Sequence, residues 1–260
     1  MIDQRTDGRS PRLIGIVLIL LAVVLVSGAV AYYLISSPSS TAPTVQSTQP
    51  AKTATALSPT DLYTTVTGKA PFINDPLDGK QSANWGTYTR NQNGYAFREN
   101  TLHGFMAAVD PLENTNAPLT ALVECPFRNA TFGNFALQVH VAILQDDQTF
   151  EGMFFRADQQ MKRMYRFYVD FYGNYNFTTE QGGEPVGTNS SVFMPDLQAQ
   201  KSFMLTVIAQ DTSFYLYINR KYVDKVIDTS YSVGEFGFFV TRGDGAATDV
   251  AFSQAEVWKL

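Results

Sequence analysis

Six residues stand out as groups whose types and spacing could do chemistry: His140, Arg156, Arg166, Tyr168, Asp170 and Tyr172, from "QVHVA", "EGMFFRA" and "YRFYVDFYG". The guanidinium groups offer forks of N–H donors to hydroxyl or keto oxygens. The tyrosines offer ring faces with a polar tip. Asp170 could accept hydrogen bonds or act as a general base, and His140 could carry a proton. Arg166, Tyr168, Asp170 and Tyr172, close in sequence, could line a concave cleft. A plainer reading stands beside each: a charge pair flanked by tyrosines is also an ordinary exposed sheet surface, and His140 a partly exposed strand residue. The sequence has no G-x-S-x-G, H-E-x-x-H, P-loop or G-x-G-x-x-G. With His103 and His140 as its two histidines it cannot assemble a histidine-rich metal site.

Strand periodicity must position these residues. Alternation sends Tyr165, Phe167, Val169 and Phe171 to one face, read as core, and Arg166, Tyr168, Asp170 and Tyr172 to the other. After a turn at Gly173-Asn174, Tyr175, Phe177 and Thr179 resume the pattern. Arg156 is in register with Gly152 and Phe154 on its own run. "NFALQVHVAIL" sets Phe135, Leu137, Val139, Val141 and Ile143 against Ala136, Gln138, His140 and Ala142. Similar runs, "SFMLTVIAQ", "SFYLYIN", "KYVDKVID", "GEFGFFVT" and "TDVAFSQAEVWKL", are separated by turn signals such as "QDDQ", "YGN", "EQGG" and "RGDG". Hardly any stretch keeps a helical period. The expected fold over residues 60–260 is all-β, a two-sheet antiparallel sandwich of jelly-roll type.

Composition sets the outer limits. In 260 residues, 45% hydrophobic and 13% aromatic, there is ample material for a core. Nineteen basic against twenty-four acidic residues, with no basic cluster, argue against nucleic acid as a partner. The single Cys125 cannot form an internal disulfide and reads as a small buried hydrophobe. Leu13–Ile35 runs for 23 residues without a charge, about 34 Å as a helix against a hydrocarbon core of about 30 Å. Arg5, Arg9 and Arg12 precede it, whereas Lys52 is the first basic residue after it. The positive-inside rule then keeps residues 1–12 in the cytoplasm and sends the rest outward. A cleaved signal peptide ending near Ala29-Val30-Ala31 is the rival reading, and apolar character continuing through Ile35 favours the anchor. Residues 36–59, rich in Ser, Thr, Ala and Pro, are expected to be a disordered stalk.

The succession "FINDPL…W…F", "FGNFALQVHVAIL", "GMFFR", "YRFYVDFYGNY", "FMLTVIAQDTSFYLYINRKYVDKVID" and "DVAFSQAEVWKL" resembles the concanavalin A-like lectin/glucanase superfamily. It is most similar to laminin-G-like and 3-keto-disaccharide hydrolase-like (DUF1080-type) domains in their membrane-anchored bacterial versions. The resemblance implies a curved sheet whose concave face takes carbohydrate, with the arginine of the "GxxFR" strand, Arg156, pointing into it beside Arg166, Tyr168, Asp170 and Tyr172, and His140 further along. The hydrolase-like members carry acidic and amide residues where this chain has Arg166 and Tyr168, and the E-x-D-x-x-E pair of glucanases is absent. Related domains also place a second cysteine where Tyr95 stands.

The expected function is a membrane-anchored extracytoplasmic lectin-like module for glycan or a cell-surface polymer. The alternatives are a saccharide-acting hydrolase with Asp170 as base, and a sensor or structural partner of another membrane protein. Expected partners are thus the glycan, the bilayer through residues 13–35 and a membrane protein. No cofactor is expected. Calcium is the one candidate, through the loop carboxylates Asp75, Asp78, Asp146, Asp147, Asp244 and Asp249, none at EF-hand spacing. "RGD" at Arg242–Asp244 reads as a β-turn before it reads as an adhesion motif.

Overall fold

The computed structural model describes residues 57–109, 121–145, 148–243 and 245–260. The inferred tail, the apolar segment and residues 36–56 of the inferred stalk lie outside them, and no helix among the described residues is long and apolar enough to cross a membrane. Thr55–Leu260 forms a compact unit. It opens with helix α1 (Pro59–Thr67). The strands follow in chain order: β1 (Ile73–Asp75), β2 (Tyr88–Arg90), β3 (Asn93–Arg98), β4 (Thr101–Met106), β5 (Ala121–Pro126), β6 (Phe135–Gln145), β7 (Thr149–Ala157), β8 (Arg163–Asp170), β9 (Asn174–Gln181) and β10 (Glu184–Phe193). After the short helix α2 (Pro195–Gln198) come β11 (Ser202–Gln210), β12 (Ser213–Ile218), β13 (Lys221–Ile227), β14 (Glu235–Arg242) and β15 (Thr248–Lys259).

Two sheets form. The larger has nine strands in the order β13-β12-β11-β6-β15-β4-β3-β2, with β1 completing the far part of β15, and the smaller has six, β10-β9-β8-β7-β14-β5. Every named pairing is antiparallel. The core lies between them because alternate residues of each strand are apolar: Phe135, Leu137, Val139 and Val141 of β6 face Phe155, Tyr165, Phe167 and Phe177 of the smaller sheet in one cluster. Each fully buried phenylalanine contributes about 1.5–3 kcal/mol. The "DPL…W" sequence has a local cause. Asp75 accepts from the Leu77 N–H at 2.8 Å and from Trp85 Nε1 at 2.9 Å, holding the indole where it stacks on Phe238 at 4.9 Å. Cys125 is free and buried, and burial pushes its thiol up to about 12.

Two expectations need correction. Phe171 is not a core residue: β8 ends at Asp170, Phe171 and Tyr172 form the turn, and Phe171 stacks on Phe150 at 5.7 Å. Residues 184–193 form the edge strand β10, paired with β9 at Glu184 and Pro185 and, after a register shift, from Asn189 to Phe193. Helix α1 begins at the last residue of the expected stalk, with its cap one residue earlier. Ser58 caps it by accepting from the Asp61 N–H, Pro59 opens it, and Leu62, Tyr63 and Val66 pack on Ala136, Ile208, Tyr217 and Trp258 of the larger sheet's outer face.

The smaller sheet depends on two glycines. A Cβ at Gly237 would lie 2.2 Å from the Cys125 carbonyl oxygen and 2.5 Å from Phe154 Cζ; one at Gly152 would lie 2.3 Å from the Phe167 carbonyl oxygen. Because the obstruction is backbone, Gly237→Ala is expected to lower unfolding stability by about 2–3 kcal/mol, read as a fall in the urea midpoint with unchanged slope.

Candidate functional site

The outer face of the smaller sheet is built from even-numbered residues of β7, β8 and β9 and their neighbours. Register fixes two adjacent rows across it. One runs Glu124, Phe239, Gly152, Tyr168, Asn176, and the next runs Pro126, Gly237, Phe154, Arg166, Thr178. Arg166 on β8 therefore reaches Glu124 on β5 across two intervening strands, where Gly152 and Gly237 offer no side chain to obstruct it. Its Nη2 meets Glu124 Oε1 at 2.7 Å, Nη1 lies 3.2 Å from Glu180 Oε2, and the guanidinium sits 4.7 Å over the Phe239 ring.

This cluster is buried and under-neutralised. Arg166 is 9% exposed and Glu180 7%. Burial pushes the Glu124 carboxyl up, Arg166 draws it back, and Glu180 adds to the rise. Glu180 Oε1 accepts from the Thr178 hydroxyl at 3.1 Å, but Glu180 Oε2 and Arg166 Nε have no hydrogen-bond partner. The 3.2 Å approach of Nη1 to Oε2 is thus a Coulombic contact with no N–H directed along it. Buried polar atoms left unmade in this way cost about 1–3 kcal/mol each.

An aromatic series leads from the cluster to the edge of the face. Phe239 meets Tyr168 edge-on at 5.5 Å, Tyr168 approaches Phe150 at 6.1 Å, Phe150 stacks on Phe171 at 5.7 Å, and Phe171 touches Tyr172 at 3.9 Å. Tyr172 is 59% exposed. Burial pushes the Tyr168 phenol up, with Glu180 and Asp170 adding to the effect. In the middle, Phe154, Met164 and Phe239 pack on one another and are sealed from solvent. Beyond them, past Ala157, the sheet ends at a groove of about 810 Å³ lined by Gln159, Gln160, Lys162, Arg163, Gln181 and Glu235 among others.

Of the six sequence candidates, Arg166, Tyr168 and Asp170 share this face, and Tyr172 crowns its turn. Asp170 is fully engaged there: its Oδ1 accepts from the Tyr172 and Asn174 N–H groups and Asn174 Nδ2, and its Oδ2 from Asn174 Nδ2 and Asn176 Nδ2. That is the bonding of a carboxylate which shapes a hairpin. Arg156 is elsewhere. A register shift against β14 and a φ of 50° turn it out of step with Gly152 and Phe154. Only 2% exposed, it donates to the carbonyls of Gly133 and Tyr231 and lies 4.9 Å over Phe214 of the core. His140 belongs to the larger sheet's outer face, where Ser202 and Ser253 hydroxyls meet its two nitrogens at 2.8 and 3.3 Å. Gln138 beside it bonds Tyr63 of α1. Sequence reasoning missed Glu124, Glu180, Phe150 and Phe239. The available signal was a carboxylate alternating with apolar residues inside a strand, as in "ALVECP" and "YNFTTEQ".

The remaining motifs are accounted for locally. Asp78 pairs with Lys80 and Asp249 with His103 Nδ1 at 2.7 Å, while Asp146, Asp147 and Asp244 lie outside the described residues. Among the described residues no three His, Cys, Asp or Glu side chains converge as a metal site. Arg242 of the RGD tripeptide is buried at the end of β14.

Known structures with this architecture are numerous. The β-glucanase of Bacillus licheniformis superposes with a TM-score of 0.55 at 10% identity, covering 74% of this chain and 99% of that one. A laminarinase from Flavobacterium sp. UMI-01 gives 0.54 at 8% identity, covering 73% and 100%. The fold is that of the concanavalin A-like lectins and glucanases. The carbohydrate-binding module CBM66 of Bacillus subtilis is similar too, with a TM-score of 0.50 at 17% identity over 68% of this chain and 96% of that one. At these identities the likeness concerns the concanavalin A-like fold alone, which carbohydrate-binding modules and glycoside hydrolases share. No family model matches the sequence, and no curated protein matches it either.

Proposed function

We propose that this domain is a carbohydrate-binding module whose site is the aromatic edge and ion cluster on the outer face of its smaller sheet. The observation that carries the reading is the state of the carboxylates there. Glu124 and Glu180 flank Arg166, and Asp170 is consumed by its own hairpin, so the face presents rings and polar atoms but no free acid and base pair. Retaining and inverting glycosidases need two such carboxyl groups free to act on the scissile bond. The similarity of fold to CBM66 supports the reading. The hydrolase alternative would draw on Arg156, Arg166, Asp170 and His140, of which Arg166 and Asp170 share the face while Arg156 turns into the core and His140 belongs to the other sheet.

The apolar segment Leu13–Ile35 and the stalk after it extend this proposal. A single-pass anchor with a cytoplasmic N-terminus would hold the module outside the plasma membrane, facing glycan or a cell-surface polymer, with another membrane protein as a further partner. Protease protection of an N-terminal tag in intact cells, with loss of the C-terminal domain, checks that orientation. For binding, retardation of the Thr55–Leu260 unit in gels containing neutral polysaccharides is the test. Tyr172→Ala is expected to weaken retention by roughly tenfold, the stacking of an exposed ring being worth about 1 kcal/mol or a little more. Unchanged retention across a panel that retards the wild type would remove the aromatic edge from the site.

A further inference from the structure

Arg166 Nε and Glu180 Oε2 are both buried atoms, on residues 9% and 7% exposed, and neither atom has a hydrogen-bond partner. One is a donor and the other an acceptor, and their side chains meet in a single ion contact. A group able to accept and donate at once would satisfy both. A sugar hydroxyl has that character, whereas a carboxylate or sulfate only accepts and an ammonium only donates. Charge points the same way. Two carboxylates, Glu124 and Glu180, surround one guanidinium, and residues 60–260 carry 15 basic against 22 acidic side chains. A second anion brought to this point would meet an excess of negative charge where water is largely excluded.

We propose that the Arg166–Glu180 pair is the specificity-determining contact for a hydroxyl of a neutral glycan, and that the cluster excludes anionic glycans. This rests on the carbohydrate-binding reading and names the ligand class of that same site. The hydroxyl accepts from Arg166 Nε and donates to Glu180 Oε2. Tyr168, half-buried and two residues along the same strand face, meets Phe239 edge-on where the Arg166 guanidinium sits over that ring, and its displacement would open an approach from the aromatic edge.

The test is affinity electrophoresis of the full chain in detergent, against dextran, β-1,3-glucan and mannan as neutral probes and dextran sulfate and alginate as anionic ones. The wild type is expected to be retained by at least one neutral probe and by neither anionic one at moderate salt. Glu180→Gln, which keeps the shape but removes the charge, is expected to lose tenfold or more of the neutral affinity, with an unchanged unfolding midpoint as the control for folding. If that variant is destabilised, Arg166→Lys, which keeps the positive charge but has no Nε–H to donate, is expected to lose tenfold or more of the neutral affinity, and neutral binding indifferent to it overturns the inference. Neutral binding indifferent to Glu180→Gln would overturn this inference and leave the carbohydrate-binding reading standing. Retention on an anionic probe stronger than on any neutral one would do the same. Retention on no probe at all would overturn both.

Discussion

Arg166→Met is expected to lower unfolding stability by about 3–5 kcal/mol at pH 7, because it strands Glu124 and Glu180 in a buried site with no opposing charge. The deficit should depend on pH in a direction fixed by Glu124, whose carboxyl already titrates above its ordinary range through burial. A carboxyl raised in the folded state binds its proton more tightly there than in the unfolded chain. Its contribution is therefore fully present below the unfolded value of about 4.3 and declines as pH rises through the folded one. Without Arg166 the attraction that draws Glu124 back is gone, so the rise is larger. Urea melts from pH 4.5 to 8 should show the variant approaching the wild type at the acid end. A deficit that is constant with pH would mean that the loss is one of packing over Phe239 and not of charge.

The second large effect is expected at Asp228. Its carboxylate accepts from the Tyr165 hydroxyl at 2.9 Å, from Thr179 at 3.0 Å, from Thr188 at 2.8 Å and from the Ser230 N–H at 2.7 Å, joining β8, β9 and β10 to the segment after β13. Burial opposes the charge, but the bonds from Ser230, Thr188 and Tyr165 outweigh it and hold the carboxyl well below the usual range. Asp228→Ala orphans four donors at once and is expected to cost about 3–4 kcal/mol at neutral pH. The sign is opposite to that at Glu124. A depressed carboxyl stabilises above the unfolded value of about 3.9, and that stabilisation is lost as pH falls through the folded value. The wild type should thus weaken below about pH 4, and the variant should lack that part of the acid transition.

Alternation made β6–β9 and β11–β15 legible, because each presents a run of apolar residues at period two long enough to be distinguished from chance. Strands β1 to β5 are three to six residues long, with Gly or Asn inside β1, β3 and β4, and "EPVGTNSSVF" of β10 is an edge with no buried face to leave a pattern. Helix α1 needed only three apolar contacts, too few for a visible period, although Ser58-Pro59-x-Asp61 carried the chemistry of a helix start. The candidate site was half legible for a related reason. Period two says which side of its own strand a residue occupies, as it did for Arg166 and Tyr168, but not which sheet the strand joins, and His140 was misassigned on that account. Nor does it survive a bulge, which turned Arg156 into the core. Asp170 looked available because the sequence does not display the amide groups that the hairpin brings back to it.

Helix α1 covers the back of the larger sheet, and the last strand, β15, lies within that same sheet. Both ends of the described unit are therefore tied to the side remote from the rings and the Arg166 cluster. A tether, fusion partner or immobilising surface joined at residue 57 or 260 pulls from behind, like the handle of a shield, and leaves the opposite face uncovered.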